Sequence, residues 1–287
     1  MKILAPAKIN IYLEVVGKRP DGYHELRTIM VPLGFGDEIF IEAAPCKITL
    51  DAPGCECPDQ GNLAYRAARL FLDQTGITSG VTIKVVKRIP VGAGLGGGSS
   101  DASSVLLGMN GLFGAGLGIE ELSGLAGNLG ADCPFFLYQK PMLMGSRGDV
   151  PISEVELADR AYLIVIPPLR IATADIFSKF TLPLTRDEDK IKIEKSEYHC
   201  IVPEVWVKND LESVACNIYP ELTRIKEELI GSGALKAGMS GSGSAVFGVY
   251  ESKAHLCSAL SRLARHEGYS YIPTTRLTGD IYGDYRG

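Results

Sequence analysis

The sequence predicts an α+β protein of two domains. Three observations carry this. The first half interleaves alternating strands with an amphipathic helix and two further helices, and the second half runs strand, helices, strand, helix, strand. The length of 287 residues is close to twice the ~150 of an average domain. The second-half order is that of a split βαβ, ferredoxin-like layer.

Taken in order, residues 9–16 (INIYLEVV) and 38–43 (EIFIEA) alternate apolar and polar positions and read as strands, with GFGD at 34–37 as a turn before the second. Asn62 opens a helix whose stripe is Leu63, Ala64, Ala67, Ala68, Phe71 and Leu72, ending at Gly76. VTIKVVK at 81–87 is a β-branched strand, followed by a glycine loop at 90–98 and an apolar helix. A helix over 119–129 ends near Gly130. AYLIVI at 161–166 is a short apolar run of a buried strand, stopped by Pro167 and Pro168. The polar stretch 181–200 reads as a loop with short elements. Helices at 209–216 and 220–230, a strand at 244–250, a helix at 252–266 and a strand near 269–275 close the chain; Pro220 falls in a first turn, where proline is favoured. A composition shift near 155–160 separates domains 1–157 and 158–287.

Composition removes several classes. With 29 Lys and Arg against 34 Asp and Glu the net charge is −5, so the chain lacks the basic surplus of a general nucleic-acid binder. The seven cysteines form no CxxC, and Cys55 and Cys57 have no second pair at zinc-finger spacing, so they read as free thiols in a reducing compartment. Pro6, Lys8 and Asn10 interrupt the apolar N-terminus, and no apolar run approaches the ~20 residues that span a bilayer. The expectation is a cytoplasmic protein with no membrane partner.

Glycine is the exception to an ordinary composition: 33 residues, 15 of them between positions 92 and 148 and 6 between 231 and 248. The segment Pro90, Val91, Gly92, Ala93, Gly94, Leu95, Gly96, Gly97, Gly98, Ser99, Ser100 joins a strand to a helix. Glycines there let successive N–H groups converge on an anion, and the positive end of the helix dipole adds to them. Ser99 and Ser100 add hydroxyls, and Lys87 and Arg88 add positive charge just before the loop. Ser99 stands where a Walker A loop needs lysine, which removes that class. Gly92, Gly94 and Gly97 satisfy GxGxxG, but no strand ending in an acidic residue follows ~20 positions on, so a dinucleotide fold is not supported.

The loop PVGAGLGGGSSDA resembles the central motif of the GHMP small-molecule kinases, which include galactokinase, homoserine kinase and mevalonate kinase. Pro6–Leu13 (PAKINIYL) resembles their first motif, and Gly238–Phe247 (GMSGSGSAVF) their third. The segments RPDGYHEL at 19–26, GADCPFF at 130–136 and NDLE at 209–212 are similar to the branch that phosphorylates a cytidine diphosphate-linked polyol on the way to isoprenoid precursors. The resemblance implies a ribosomal-S5-like N-terminal domain and a ferredoxin-like C-terminal domain. It also implies ATP and Mg2+ as cofactors, with the cytidine diphosphate compound as small-molecule partner in a monomer or homodimer.

The same resemblance implies a site. Asp132 matches the group that receives the hydroxyl proton, and Lys8 its partner: an ammonium there would stabilise developing negative charge. Asn10, two residues along the same strand, shares a face with Lys8 and would fix the substrate hydroxyl or Asp132. His24 matches the residue that reads cytosine with its two ring nitrogens. Tyr23 and Phe177 match aromatic residues that sandwich the base, with Thr173 near the same pocket. Asn62 and Lys87 match positions near adenine. Ser99 or Ser100 is the candidate magnesium ligand, and no acidic ligand is assigned. The Ser240–Gly243 turn is expected to pack against the phosphates. Where the family shows a GxGE-like turn this chain has Gly145-Ser-Arg-Gly-Asp149, which adds Arg147. Another substrate of the same family, or a silent nucleotide-binding relative, are the alternatives; DGYHEL weighs against the first and the Lys8–Asp132 pair against the second.

Overall fold

A computed structural model describes residues 1–54, 59–181, 199–201, 206–279 and 281. Cys55 and Cys57, most of the polar stretch 181–200 and the end of the tail lie outside the described residues. The chain opens with two long antiparallel strands, β1 (Lys2–Lys18) and β2 (His24–Ala44). β2 runs straight through GFGD, where the sequence predicts a turn. Gly36 has a different cause: a Cβ there would lie 2.1 Å from the Ala5 carbonyl oxygen, at the register shift between Pro6 and Lys8 of β1. The glycine admits the neighbouring backbone rather than reversing the chain.

β3 (Ile48–Asp51) is followed by α1 (Leu63–Thr75), capped by Asn62, whose side chain accepts from the Ala64 N–H at 2.9 Å. Then come β4 (Gly80–Val86), α2 (Gly97–Phe113), α3 (Ile119–Gly127) and α4 (Cys133–Tyr138). The hairpin β5 (Met142–Gly145) and β6 (Val150–Glu156) completes this half. The sheet runs β3-β4-β2-β5-β6, with β1 also on β2. One face carries Ile3, Ile39, Ile41, Val81 and Ile83 and packs on α1, α2 and α3 through Phe71, Val105 and Leu125.

The second half holds β7 (Ala161–Ile166), α5 (Thr173–Lys179), β8 (His199–Ile201), β9 (Lys208–Asn209), α6 (Glu212–Ile218), α7 (Pro220–Gly231), β10 (Lys236–Met239), β11 (Val246–Tyr250), α8 (Lys253–Leu260) and β12 (Ser270–Thr275). Its antiparallel sheet has the order β10-β11-β7-β12, the split βαβ arrangement expected from the element order. The last helix is shorter than the expected 252–266. β8 and β9 return to the first sheet, on β6 and β1. β7 is buried on both faces, as its unbroken apolar run requires. Tyr162, Ile164 and Ile166 meet Ile9, Val31 and Leu33 of the first sheet, and Leu163 and Val165 meet Leu222, Ile225 and Leu229 of α7. The layers are therefore helices, large sheet, small sheet, helices. Among the described residues no helix is long and apolar enough to cross a membrane.

Candidate active site

The two halves meet around a cleft of about 1020 Å³. Its floor is β1. Lys8 and Asn10 alternate with buried Ala7, Ile9 and Ile11, so both side chains emerge on the cleft face. The Lys8 ammonium donates to Asn10 Oδ1 at 2.6 Å and stands 3.4 Å from Asp132 Oδ2. Asn10 Nδ2 in turn donates to Thr28 Oγ1 at 2.7 Å, and that hydroxyl spends its only proton on the Tyr12 carbonyl, also at 2.7 Å. The chain of donors runs one way, which sets the Asn10 amide so that its oxygen faces the lysine. Asn10 thus aims Lys8. Thr28, which no motif singles out, holds Asn10.

Asp132 precedes α4 with helical dihedrals and no side-chain capping bond, and Pro134 occupies the first turn. Its carboxylate is one-third exposed and is directed into the cleft by the turn after Gly130. Cys133, next to it, is buried and its thiol is pushed up to about 12 by burial, so it stays a neutral packing group.

Beside this pair lies the glycine loop. Gly92, Gly94 and Gly96 have φ of 75°, 78° and 72°. A Cβ on Gly94 would meet the Ser240 and Gly243 carbonyl oxygens at 2.6 and 2.8 Å. The loop is stitched in place: Lys8 N–H donates to the Leu95 carbonyl at 3.0 Å, Ala245 N–H to that of Ala93 at 2.9 Å, and Ser240 Oγ to that of Gly94 at 3.0 Å. The first helical bond of α2 is Ser100 N–H to Gly96 O, leaving the N–H groups of Gly97, Gly98 and Ser99 without a carbonyl in the helix. A polyanion there would meet those amides and the helix dipole.

Several expected ligands have other work. Ser100 is fully buried and its hydroxyl has no hydrogen-bond partner among the described residues, whereas Ser99 lines the cleft; of the two hydroxyls only Ser99 is placed for a ligand. Ala93 and Leu95 send their side chains into the core. The Lys87 ammonium is held between Asp37 Oδ2 and Asp101 Oδ2 at 2.5 and 2.7 Å. Asn62 caps α1 through its Oδ1. Pro90, Val91 and Gly92 form the outer edge of the loop, with Val91 exposed. The Ser240–Gly243 turn packs on the glycine loop at Gly94, and Ser242 of that turn bonds Thr173 at 2.8 Å.

The far end of the cleft is aromatic. His24 and Phe177 stack with centroids 5.1 Å apart and planes at 28°, and Phe180 meets the His24 ring edge-on at 6.4 Å. Phe180 is an addition to the expected set, although it lies three residues from Phe177, one helical turn away. Burial, with a smaller contribution from the Lys18 charge, holds the His24 imidazolium below its ordinary range, so the ring is neutral near pH 7 and carries one donor and one acceptor nitrogen. Tyr23 and Arg147 line the same wall.

Two family models match the chain: the GHMP kinases N terminal domain over residues 62–140 and the GHMP kinases C terminal domain over residues 201–269. A 4-diphosphocytidyl-2-C-methyl-D-erythritol kinase of Geobacter sp. strain M21 is 40% identical over 94% of this chain and 96% of its own length. The one of Citrifermentans bemidjiense is 41% identical with the same coverage. A crystal structure of 4-(cytidine 5'-diphospho)-2C-methyl-D-erythritol kinase superposes with a TM-score of 0.77 at 33% identity, covering 97% of this chain and all of that one.

Proposed function

The chain belongs to the GHMP kinase family, among the 4-diphosphocytidyl-2-C-methyl-D-erythritol kinases, and on that premise we propose how its residues phosphorylate the 2-hydroxyl of that substrate with ATP. Asp132 receives the hydroxyl proton and Lys8 stabilises the alkoxide that forms. The observation that carries this reading is the 3.4 Å pairing of Lys8 with Asp132 on the cleft wall facing the open end of α2. Phosphoryl transfer asks the protein chiefly to align the nucleophile and to neutralise the equatorial oxygens. The free amides at Gly97, Gly98 and Ser99 answer the second need, and the Asn10–Lys8–Asp132 row answers the first.

Magnesium bound with the nucleotide would offset the charge on its phosphates. A hard cation takes oxygen ligands, and the Ser99 hydroxyl beside the amide cradle is a donor of that kind. Tyr23 and Phe177 supply ring faces for the cytosine, and neutral His24 offers the donor and acceptor that its edge requires. Residues 1–157 and 158–287 serve as the two domains between which this cleft opens, in a cytoplasmic enzyme that works as a monomer or homodimer.

The reading is tested by ADP release with the cytidine substrate, mevalonate and homoserine offered side by side. Turnover is expected with the first alone. Turnover with another alcohol would assign a different member of the family, and ATP binding without ADP release from any of them would favour a silent relative.

A second measurement isolates the base site. In His24→Ala the KM for the cytidine substrate is expected to rise about two- to tenfold, the cost of one lost hydrogen bond to a neutral base, with the KM for ATP unchanged. Because a charged imidazole has two donors and no acceptor, the wild-type KM for that substrate is also expected to rise as pH falls through the depressed His24 range. Equal losses for both substrates would make His24 a purely structural residue.

A further inference from the structure

The turn at residues 145–149 reaches the cleft through Arg147. The guanidinium carbon lies 5.2 Å from the centroid of the Tyr23 ring. Both sides of this contact are anchored. Arg147 donates from Nε and Nη2 to Asp149 Oδ2 at 3.0 and 2.6 Å, and from its backbone N–H to Oδ1 at 3.2 Å. Ser146, in the left-handed region at φ 59°, accepts from Leu26 N–H at 2.6 Å through its carbonyl and from Arg19 at 3.0 Å through its hydroxyl. On the other side, Arg19 N–H donates to the Tyr23 carbonyl at 2.8 Å, and Tyr23 N–H to Asp21 at 3.1 Å. Tyr23 itself is 58% exposed, so little else packs its ring.

A guanidinium over an aromatic face is attracted by the ring quadrupole, and the two bonds to Asp149 fix its position there. One face of Tyr23 is thereby covered and its opposite face is left for a planar base. We propose that Arg147 is a positioning residue for the cytidine substrate, holding Tyr23 so that its free face meets the cytosine. The inference rests on the reading of Tyr23 as the base-stacking residue.

The test is a cycle of Arg147→Met, Tyr23→Leu and the double variant, with Arg147→Lys beside them, reading KM for both substrates, kcat and the thermal midpoint. Arg147→Met is expected to raise the KM for the cytidine substrate about two- to fivefold, the worth of one exposed cation–π contact, at unchanged kcat and ATP KM, with the midpoint lowered because Asp149 loses two donors. Arg147→Lys, which keeps the charge without the fork, is expected to raise it less. In the Tyr23→Leu background, already raised, Arg147→Met is expected to add nothing. The inference is overturned if Arg147→Met leaves the KM unchanged while Tyr23→Leu raises it. It is equally overturned if the arginine effect persists at full size without the tyrosine, since the cation would then act on the substrate directly. A Tyr23→Leu variant with normal KM would remove the stacking reading itself, and this inference with it.

Discussion

Asp132→Asn is expected to bind ATP normally and to lose at least ~10²-fold in kcat, the usual contribution of a positioned general base. The amide is nearly the same size and, with no capping bond made by the Asp132 side chain, the start of α4 loses nothing by the change. What disappears is the carboxylate paired with the Lys8 ammonium. Lys8→Met should lose a similar factor for a linked reason: it removes the cation that meets the developing alkoxide and also leaves Asn10 Oδ1 without its donor. Because both residues act on one proton transfer, the double variant should cost little more than either single change. Single-turnover kinetics with saturating ATP separates this from a binding defect. Near-normal turnover in Asp132→Asn would remove the base role and leave alignment and charge neutralisation as the whole of catalysis.

The Lys8–Asp132 pair is legible in the amino-acid sequence because both members lie in motifs that point to them. The Asn62 cap is legible for a more elementary reason, since an amide side chain before an apolar stripe has a local meaning. Other readings fail where meaning is set at a distance. GFGD has the composition of a turn, yet Gly36 is there for the backbone of β1, a constraint no local window contains. The carboxylates that hold Lys87 lie 50 residues before it and 14 after it, beyond any local window. Ser99 and Ser100 differ only in which side of the first helical turn they occupy, and that phase depends on where α2 begins. The spacing of Phe180 to Phe177 is the signal that could have found it. Arg147 stands out in the sequence as a departure, and its contact with Tyr23 comes only from the packing of two loops.

The ion pairs of Lys87 carry the second large expectation. The ammonium ties Asp37 of β2 to Asp101 of α2, and Asp37 Oδ1 also accepts the N–H groups of Arg88 and Ile89 at 2.5 and 2.8 Å. Both ends of the glycine loop are thus fastened to one buried cluster holding two carboxylates and one ammonium. Lys87→Met would leave two buried carboxyl groups, those of Asp37 and Asp101, facing each other without a cation. Breaking a buried pair in this way costs about 3–5 kcal/mol, or roughly 5–15 °C in thermal midpoint, and the freed loop should raise the KM for ATP more than that for the cytidine substrate. Asp101→Asn makes the opposite test, since it leaves one ammonium with one carboxylate. Burial pushes the Asp101 carboxyl above the usual carboxylate range against the opposing pull of the Lys87 ammonium, so as pH falls the folded protein takes up a proton there before the unfolded chain does. Wild-type stability from this group therefore falls as pH rises out of the usual carboxylate range, and Asp101→Asn should flatten that slope. An unchanged midpoint in Lys87→Met would show that the cluster does not hold the loop.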